Sequence, residues 1–389
     1  MNKNVIGYFV VLVFALVFLY LGYSIANAGG HFRNEGGVLF VEARITGILD
    51  VREFTTPTEN WESISFEATI TRGARAGEVV SFTQNVRGYF LERFPRAARE
   101  GDRVVLSFSE ITGTWNFVEY VRLHYVMALG LVFVVLLIIF GRVKGLNAVL
   151  SLGLTGTAVF AVFIPSIMSG RNIYIASILV CLYTIVVTIF LVNGFTKKSF
   201  SAVVGCLGGV VAAGGITVLM GRVMELTGVT QTESLQLLYL AEAPLDLNAI
   251  IFAGIVIGAS GAIMDMAVSI SSAMWQVKIQ SPALQFGEIF KAGVSIGKDI
   301  IGSNINTLVL AYIGSSLTMI LILLSHSQAL FRVLNRELVV VEILQAIVGS
   351  FGVFLTMPLT AVVCATLFSL RKERDYANSD DDFWKTGQF

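Results

Sequence analysis

NAIIFAGIVIGASGAIMDMAVSIS, residues 248–271, decides what kind of molecule this is. It is long enough to cross a bilayer, because about 20 mostly apolar residues suffice, and its only charged residue is Asp265. A helix of this composition belongs in lipid, and an aspartate inside it needs a reason. On a helix Asp265, Ser269 and Ser272 fall at i, i+4 and i+7, so they share one face, which Gly258 and Ala262 continue. Small residues on such a face permit close helix approach. A carboxylate at a helix centre costs roughly 2.5–3.5 kcal/mol to insert, so the stripe should meet protein or water.

The surrounding chain has the same character. Of 389 residues, 55% are hydrophobic and 14% charged, and the formal net charge is zero. This composition places the chain in a lipid bilayer and argues against nucleic-acid binding. Runs of spanning length fall at about 5–26, 123–140, 146–167, 173–193, 200–221, 248–271, 301–325 and 343–368. The expected fold class is an all-α polytopic membrane protein of about eight transmembrane helices, carrying a small all-β extracytoplasmic domain between spans 1 and 2. Basic residues near span ends stay in the cytoplasm. Placing both termini inside puts Lys3, Arg142, Lys144, Lys197, Lys198, Lys278, Lys291, Lys298 and the basic residues after 370 there, leaving Arg171, Arg222, Arg332 and Arg336 outside. Residues 1–28 read as an anchor with a signal-like end at Ala26-Asn27-Ala28, and its apolar run favours retention over cleavage.

Residues 29–122 change pattern to short alternating strands punctuated by glycine, with candidates at 38–51, 64–72, 78–86, 103–109 and 114–122. Five such strands predict an OB or SH3-like barrel. No His, Cys or carboxylate cluster there points to catalysis, so the domain reads as a spacer or docking module and the chain as a non-enzyme. Residues 123–370 form the expected seven-span membrane domain, and 371–389 a charged cytoplasmic tail. Cys181, Cys206 and Cys364 lie inside spans and read as small packing residues, while His31, His124 and His326 make no metal spacing. No cofactor is expected, and the identity of any metal stays open. In SPALQFGEIFKAGVSIG, 281–297, Phe286, Ile289, Phe290, Gly293 and Val294 share one helical face, which predicts a helix lying along the inner membrane surface. TQTESLQLLYL, 230–240, predicts a short interfacial helix opened by a Thr230/Glu233 capping box.

The seventh run repeats the chemistry of the sixth. In SIGKDIIGSNINTLVLAY, 295–312, Asp299, Ser303 and Asn306 stand at i, i+4 and i+7, with Asn304 and Thr307 beside them. The two spans run in opposite directions, so both aspartates belong to the same cytoplasmic half of the bilayer and could meet. Two carboxylates with hydroxyl and amide oxygens could hold a hard cation or protons, and Lys298 could instead neutralise one of them. Gly258, Gly261 and Gly302 are the expected close-packing positions. The competing reading is helix glue, with Asp299 capping the start of its span. An intramembrane aspartyl protease is disfavoured because neither aspartate has a YD or GxGD context.

These two segments together resemble the YibE/F family of bacterial multispanning membrane proteins. The resemblance extends to IPSIMSGRNIYIA (164–176) and NGFTKKSFSAVVGCLGGVVAAGG (193–215). With a strand-rich domain ahead of the spans, the chain looks like the longer, YibE-type member. One departure is Tyr174, where the resemblance leads one to expect proline in a GRNP-like turn. The resemblance implies an integral membrane protein, with a YibF-like partner or homo-oligomer as a possible associate, and supplies no substrate. The resulting expectation is a transporter or efflux component for a small solute or cation in the bacterial cytoplasmic membrane. The alternative is a non-transporting assembly, partner-binding or sensing protein.

Overall fold

The computed structural model describes residues 3–27, 38–55, 60–73, 75–89, 92–94, 96–110, 112–230, 232–240, 245–325 and 330–369. The expected tail at 371–389 and the signal-like end at residue 28 lie outside the described residues. The chain divides into two compact units, Phe32–Leu136 and a second made of Met1–His31 with Leu137–Phe389.

The smaller unit is a closed five-stranded barrel. Strand β1 (Val38–Thr55) pairs antiparallel with β2 (Asn60–Arg72), and β2 pairs with β3 (Val79–Tyr89). A three-residue strand, β4 (Glu92–Phe94), extends the end of β3. Strand β5 (Arg103–Ser109) returns beside β1, and β6 (Thr114–Tyr120) closes the ring by pairing with β5 and, in parallel, with β3 at Phe82–Trp115. The period-two pattern sends Val41, Ala43, Ile45, Phe66, Ala68, Ile70, Phe82, Val104 and Leu106 inward, where all are buried. Gln84 occupies an inward position as well. Its Nε2 donates to the Arg96 carbonyl at 3.1 Å and its Oε1 accepts from the Ala98 N–H at 2.9 Å. A buried amide is tolerated because both of its ends are paired. The REGD turn is set by Gly101, whose φ of +88° suits glycine, and by Asp102, which accepts from the Arg99 N–H at 2.9 Å and from Arg96. Beyond the closed part, the β1–β2 hairpin continues through Phe54, which stacks on Trp61 at 4.2 Å. The alternation rule stopped β1 at residue 51 and started β2 at 64, because this extension has no inside for a period-two pattern to mark.

The larger unit is helical. Helix α1 (Lys3–Asn27) packs on α4 (Ile173–Asn193) through Phe18 stacked on Tyr183 at 4.3 Å. In chain order, α2 (Leu123–Ala158), which belongs to the smaller unit up to Leu136 and to the larger from Leu137, a π turn at Val159–Phe163 and α3 (Ile164–Met168) form a continuous apolar stretch of 46 residues. That stretch breaks at Arg142, whose φ of 47° and ψ of −127° are non-helical. Gly145 lies against the Leu137 carbonyl. Eight residues of straight helix would separate them by about 12 Å, so the chain bends sharply there. Then follow α5 (Lys197–Val223), α6 (Thr232–Leu240), α7 (Leu247–Gln280), α8 (Phe286–Ser325), α9 (Leu330–Leu334) and α10 (Glu337–Ser369). Among the described residues, seven helical stretches are long and apolar enough to cross a membrane.

Small residues set the core. Gly209 of α5 lies against Thr356 and the Gly352 carbonyl of α10, a contact that leaves no room for a Cβ. Around it, Cys206, Ile263, Met266, Ile270, Val353, Met357 and Ala361 form one buried cluster drawn from α5, α7 and α10. Cys181, Cys206 and Cys364 are free and buried. Asn172 N-caps α4 by accepting from the Ile175 N–H at 3.1 Å, and Tyr174 packs on Phe252 at 4.9 Å, so the tyrosine in the expected proline turn is a packing residue.

Two expectations are corrected here. Residues 286–297 are not a separate surface helix; they are the first turns of α8. Their apolar face is covered by protein, since Ile289, Gly293 and Gly297 are buried and the two glycines lie against Met274 and Met357. The short helix after residue 230 is present as α6, but it starts at Thr232, and the Thr230 hydroxyl stands 3.4 Å from the Ser234 hydroxyl. The Glu233 side chain lies outside the described residues.

Candidate functional site

The site is built on α7 and α8. Asp246 starts α7 by accepting from the Ala249 N–H at 3.1 Å, and the helix runs unbroken to Gln280. Asp265 therefore stands well inside α7, about 15 Å from Trp275 at 1.5 Å per residue. Asp299 stands thirteen residues into α8, which begins at Phe286. A helix cap is made at the first residues, so Asp299 caps nothing and that part of the glue reading is removed.

The two helices run antiparallel in a readable register. Gly293 lies against Met274 and Gly297 against Ile270, while Asn304 Nδ2 donates to Met266 Sδ at 3.4 Å. Farther along, the Tyr312 hydroxyl covers Gly258, where a Cβ would come within 2.8 Å of it. This register puts Asp265 level with Gly302 and Ser303, and Asp299 level with Ser269 and Ile270. The two carboxylates are offset by about four residues, or ~6 Å along the axes. Each stands level with a hydroxyl-bearing turn of the other helix, so the two stripes are staggered.

Exposure assigns the two stripes to one flank. On α7, Gly254, Gly258, Gly261, Asp265 and Ser269 are exposed at helical spacing, and Ser272 is half-buried. On α8, Asp299, Gly302, Ser303, Asn306 and Thr307 are exposed, and Asn304 is half-buried. The Met266–Asn304 contact separates this flank from the core, and helical rotation from it carries Asp265 and Ser303 outward on the same side. The flank is polar and nearly free of bulk.

Partners within the chain are few. Among the described residues neither aspartate makes a hydrogen bond or an ion pair. Ser303 donates to the Ile300 carbonyl at 2.9 Å and Thr307 to the Ser303 carbonyl at 2.9 Å, so their hydroxyl lone pairs stay available. Lys298, expected as a charge partner, is exposed and pairs with neither aspartate. Its position, one residue from Asp299, turns it about 100° around α8. Of the glycines expected to pack helices together, Gly258 does so, but Gly261 and Gly302 have nothing within 4 Å of the Cβ position. They lie on the open flank, where small size leaves space. Among the described residues no group of three His, Cys, Asp or Glu is placed to hold a metal ion.

Sequence reasoning missed Tyr312 and Ser271. Tyr312 brings its buried hydroxyl against Gly258, with the Gln345 amide beside it. Ser271, beside the expected Ser272, is the buried member of that pair and donates to the Val268 carbonyl at 3.1 Å. A 100° step per residue distinguishes the two serines only once the core direction is known.

Searches of curated proteins and of solved structures returned no match. The helical unit does match a family. The model for YibE/F-like proteins covers residues 129–370, which takes in both aspartate stripes and the helices that position them, and the chain belongs to the YibE/F family.

Proposed function

We propose that this integral membrane protein is a carrier or efflux component rather than an enzyme. It moves a small solute or cation through the bacterial cytoplasmic membrane. Asp265 and Asp299 hold the moving cation or proton, Ser269, Ser272, Ser303, Asn306 and Thr307 line the path, and Asn304 fixes the helix pair that carries them. The observation that carries this reading is the shared open flank of α7 and α8, where two unpaired carboxylates stand on helices otherwise suited to lipid. Insertion costs of roughly 2.5–3.5 kcal/mol for a carboxylate at a helix centre favour water or a protein partner against that flank. A second copy or a YibF-like partner would complete the path, as transporter sites are commonly shared between helical elements near mid-membrane. The break at Arg142 supports counting the 46-residue stretch as two crossings, which gives eight spans with both termini inside.

The experiment is flux into sealed proteoliposomes, read with a trapped pH dye and a panel of monovalent and divalent cations. Asp265→Asn and Asp299→Asn should each lower the flux at least tenfold with folded yield retained. Undiminished flux in both variants removes the carboxylates from the mechanism.

A second reading, partner binding or sensing, is favoured by one observation. The β1–β2 hairpin exposes Ile48, Leu49, Val51 and Phe54, more apolar surface than a mere spacer needs. The parallel β3–β6 closure supports the OB form of the barrel, whose loops serve recognition elsewhere. Deleting residues 30–120 separates the readings: loss of partner capture, in a protein for which no flux is ever found, supports the second.

A further inference from the structure

Farther along α8, about a third of a turn round from the carboxylate flank, lies a different site. Between α8 and α10 lies a cavity of about 570 Å³, within the size range of small-molecule pockets. Its walls are apolar, from Ile305 and Val309 to Ile320 on α8 and from Ala346 and Ile347 to Phe354 on α10. It is long: the residues that line it run from Ile305 to Ile320 on α8 and from Val339 to Phe354 on α10, or about 22 Å of each helix. Glu342 lies one turn from the end nearest the start of α10 and is the one charged residue among the described lining residues. It makes no ion pair or hydrogen bond among the described residues. Tyr312, whose buried hydroxyl stands beside Gln345, lines the same cavity.

We propose that this groove binds a single-chain amphiphile with a cationic head, entering from the bilayer. The tail lies along the Ile305–Phe354 wall and the head is held by the Glu342 carboxylate. Length favours a chain over a compact ligand, because a tail already in the bilayer can pack along the whole wall through van der Waals contact. Charge favours a cation. Glu342 stands just ahead of the 343–368 run, at the level where a head group lies, and its carboxylate is open to a ligand ammonium. The proposal rests on α8 and α10 crossing the membrane, and is independent of what Asp265 and Asp299 carry.

The test uses the full chain in phosphatidylcholine liposomes and electron paramagnetic resonance of two spin-labelled amphiphiles, a long-chain quaternary ammonium and a fatty acid of equal length. The wild-type protein should show a saturable, motionally restricted component that prefers the ammonium label. Glu342→Gln should weaken ammonium binding about tenfold and remove the preference. Ala346→Trp, which fills the groove, should abolish the restricted component for both labels. Asp265→Asn should leave it unchanged, which keeps this proposal separate from the transport reading. A preference that survives Glu342→Gln, in a protein whose melting is unaltered, overturns the proposal. So does a restricted component that survives Ala346→Trp, because the labels would then sit at the general lipid boundary.

Discussion

Two surfaces of the chain are equally open and chemically opposite. The first half of α2 exposes Leu129, Phe133 and Phe140 at 71%, 53% and 84%. The flank of α7 and α8 exposes Asp265, Ser269, Asp299, Ser303 and Asn306. In water the first surface is a liability; in lipid the second is. A membrane resolves the first, and the family assignment covers the helices that carry the second. The difference teaches that exposure in a membrane chain has two meanings. Apolar exposure suits lipid, and polar exposure calls for water or a protein partner.

The comparison breaks if the two surfaces tolerate the same charge. Phe133→Asp puts a carboxylate on the apolar surface near the middle of its run. It is expected to cost about 2.5–3.5 kcal/mol of insertion, seen as a collapse of the membrane-folded yield. Asn306→Asp adds the same group to the polar flank and should change that yield by less than twofold. Equal losses would mean that both surfaces meet lipid.

A smaller effect sharpens the contrast with the barrel, where burial obeys the rules of water. Gln84→Leu keeps a large side chain at the inward position but leaves the buried Ala98 N–H unpaired, while the Arg96 carbonyl keeps only the Tyr120 hydroxyl. The expected cost is about 1–3 kcal/mol. Thermal unfolding followed through the barrel's β-sheet circular dichroism should show the midpoint fall, with the helical signal unaffected. An unchanged midpoint would mean that water replaces the lost amide.

Periodicity carried much of this in the sequence. The i, i+4, i+7 spacing of Asp265-Ser269-Ser272 and Asp299-Ser303-Asn306 fixed which side chains share a face, and the exposed flank contains nearly all of them. Alternation found the five barrel strands for the same reason, because a one-sided core imposes period two on each. What escaped were quantities that depend on two elements at once. The face holding Ile289, Gly293 and Gly297 is apolar whether lipid or a neighbouring helix covers it, so residues 286–297 passed for a surface helix. Antiparallel pairing alone did not give the register, and the ~6 Å stagger of the carboxylates follows from the Met274–Gly293 and Met266–Asn304 contacts. The groove at Glu342 belongs to neither α8 nor α10 alone, so neither sequence segment announces it. The turn at Arg142, by contrast, falls between the runs 123–140 and 146–167, where Arg142 and Lys144 interrupt the apolar sequence.

The central claim is that water and the transported species reach the α7–α8 flank. Thiol labelling tests it most directly, because a cysteine reacts through its thiolate, which needs water around it. Ser269→Cys and Ser303→Cys should react with a membrane-impermeant methanethiosulfonate reagent applied from one side of sealed vesicles. Val132→Cys on α2 should not, and the buried native Cys181, Cys206 and Cys364 should stay silent. If Ser269→Cys and Ser303→Cys prove as inert as Val132→Cys from both sides, the flank is dry and the account of a path through it is contradicted.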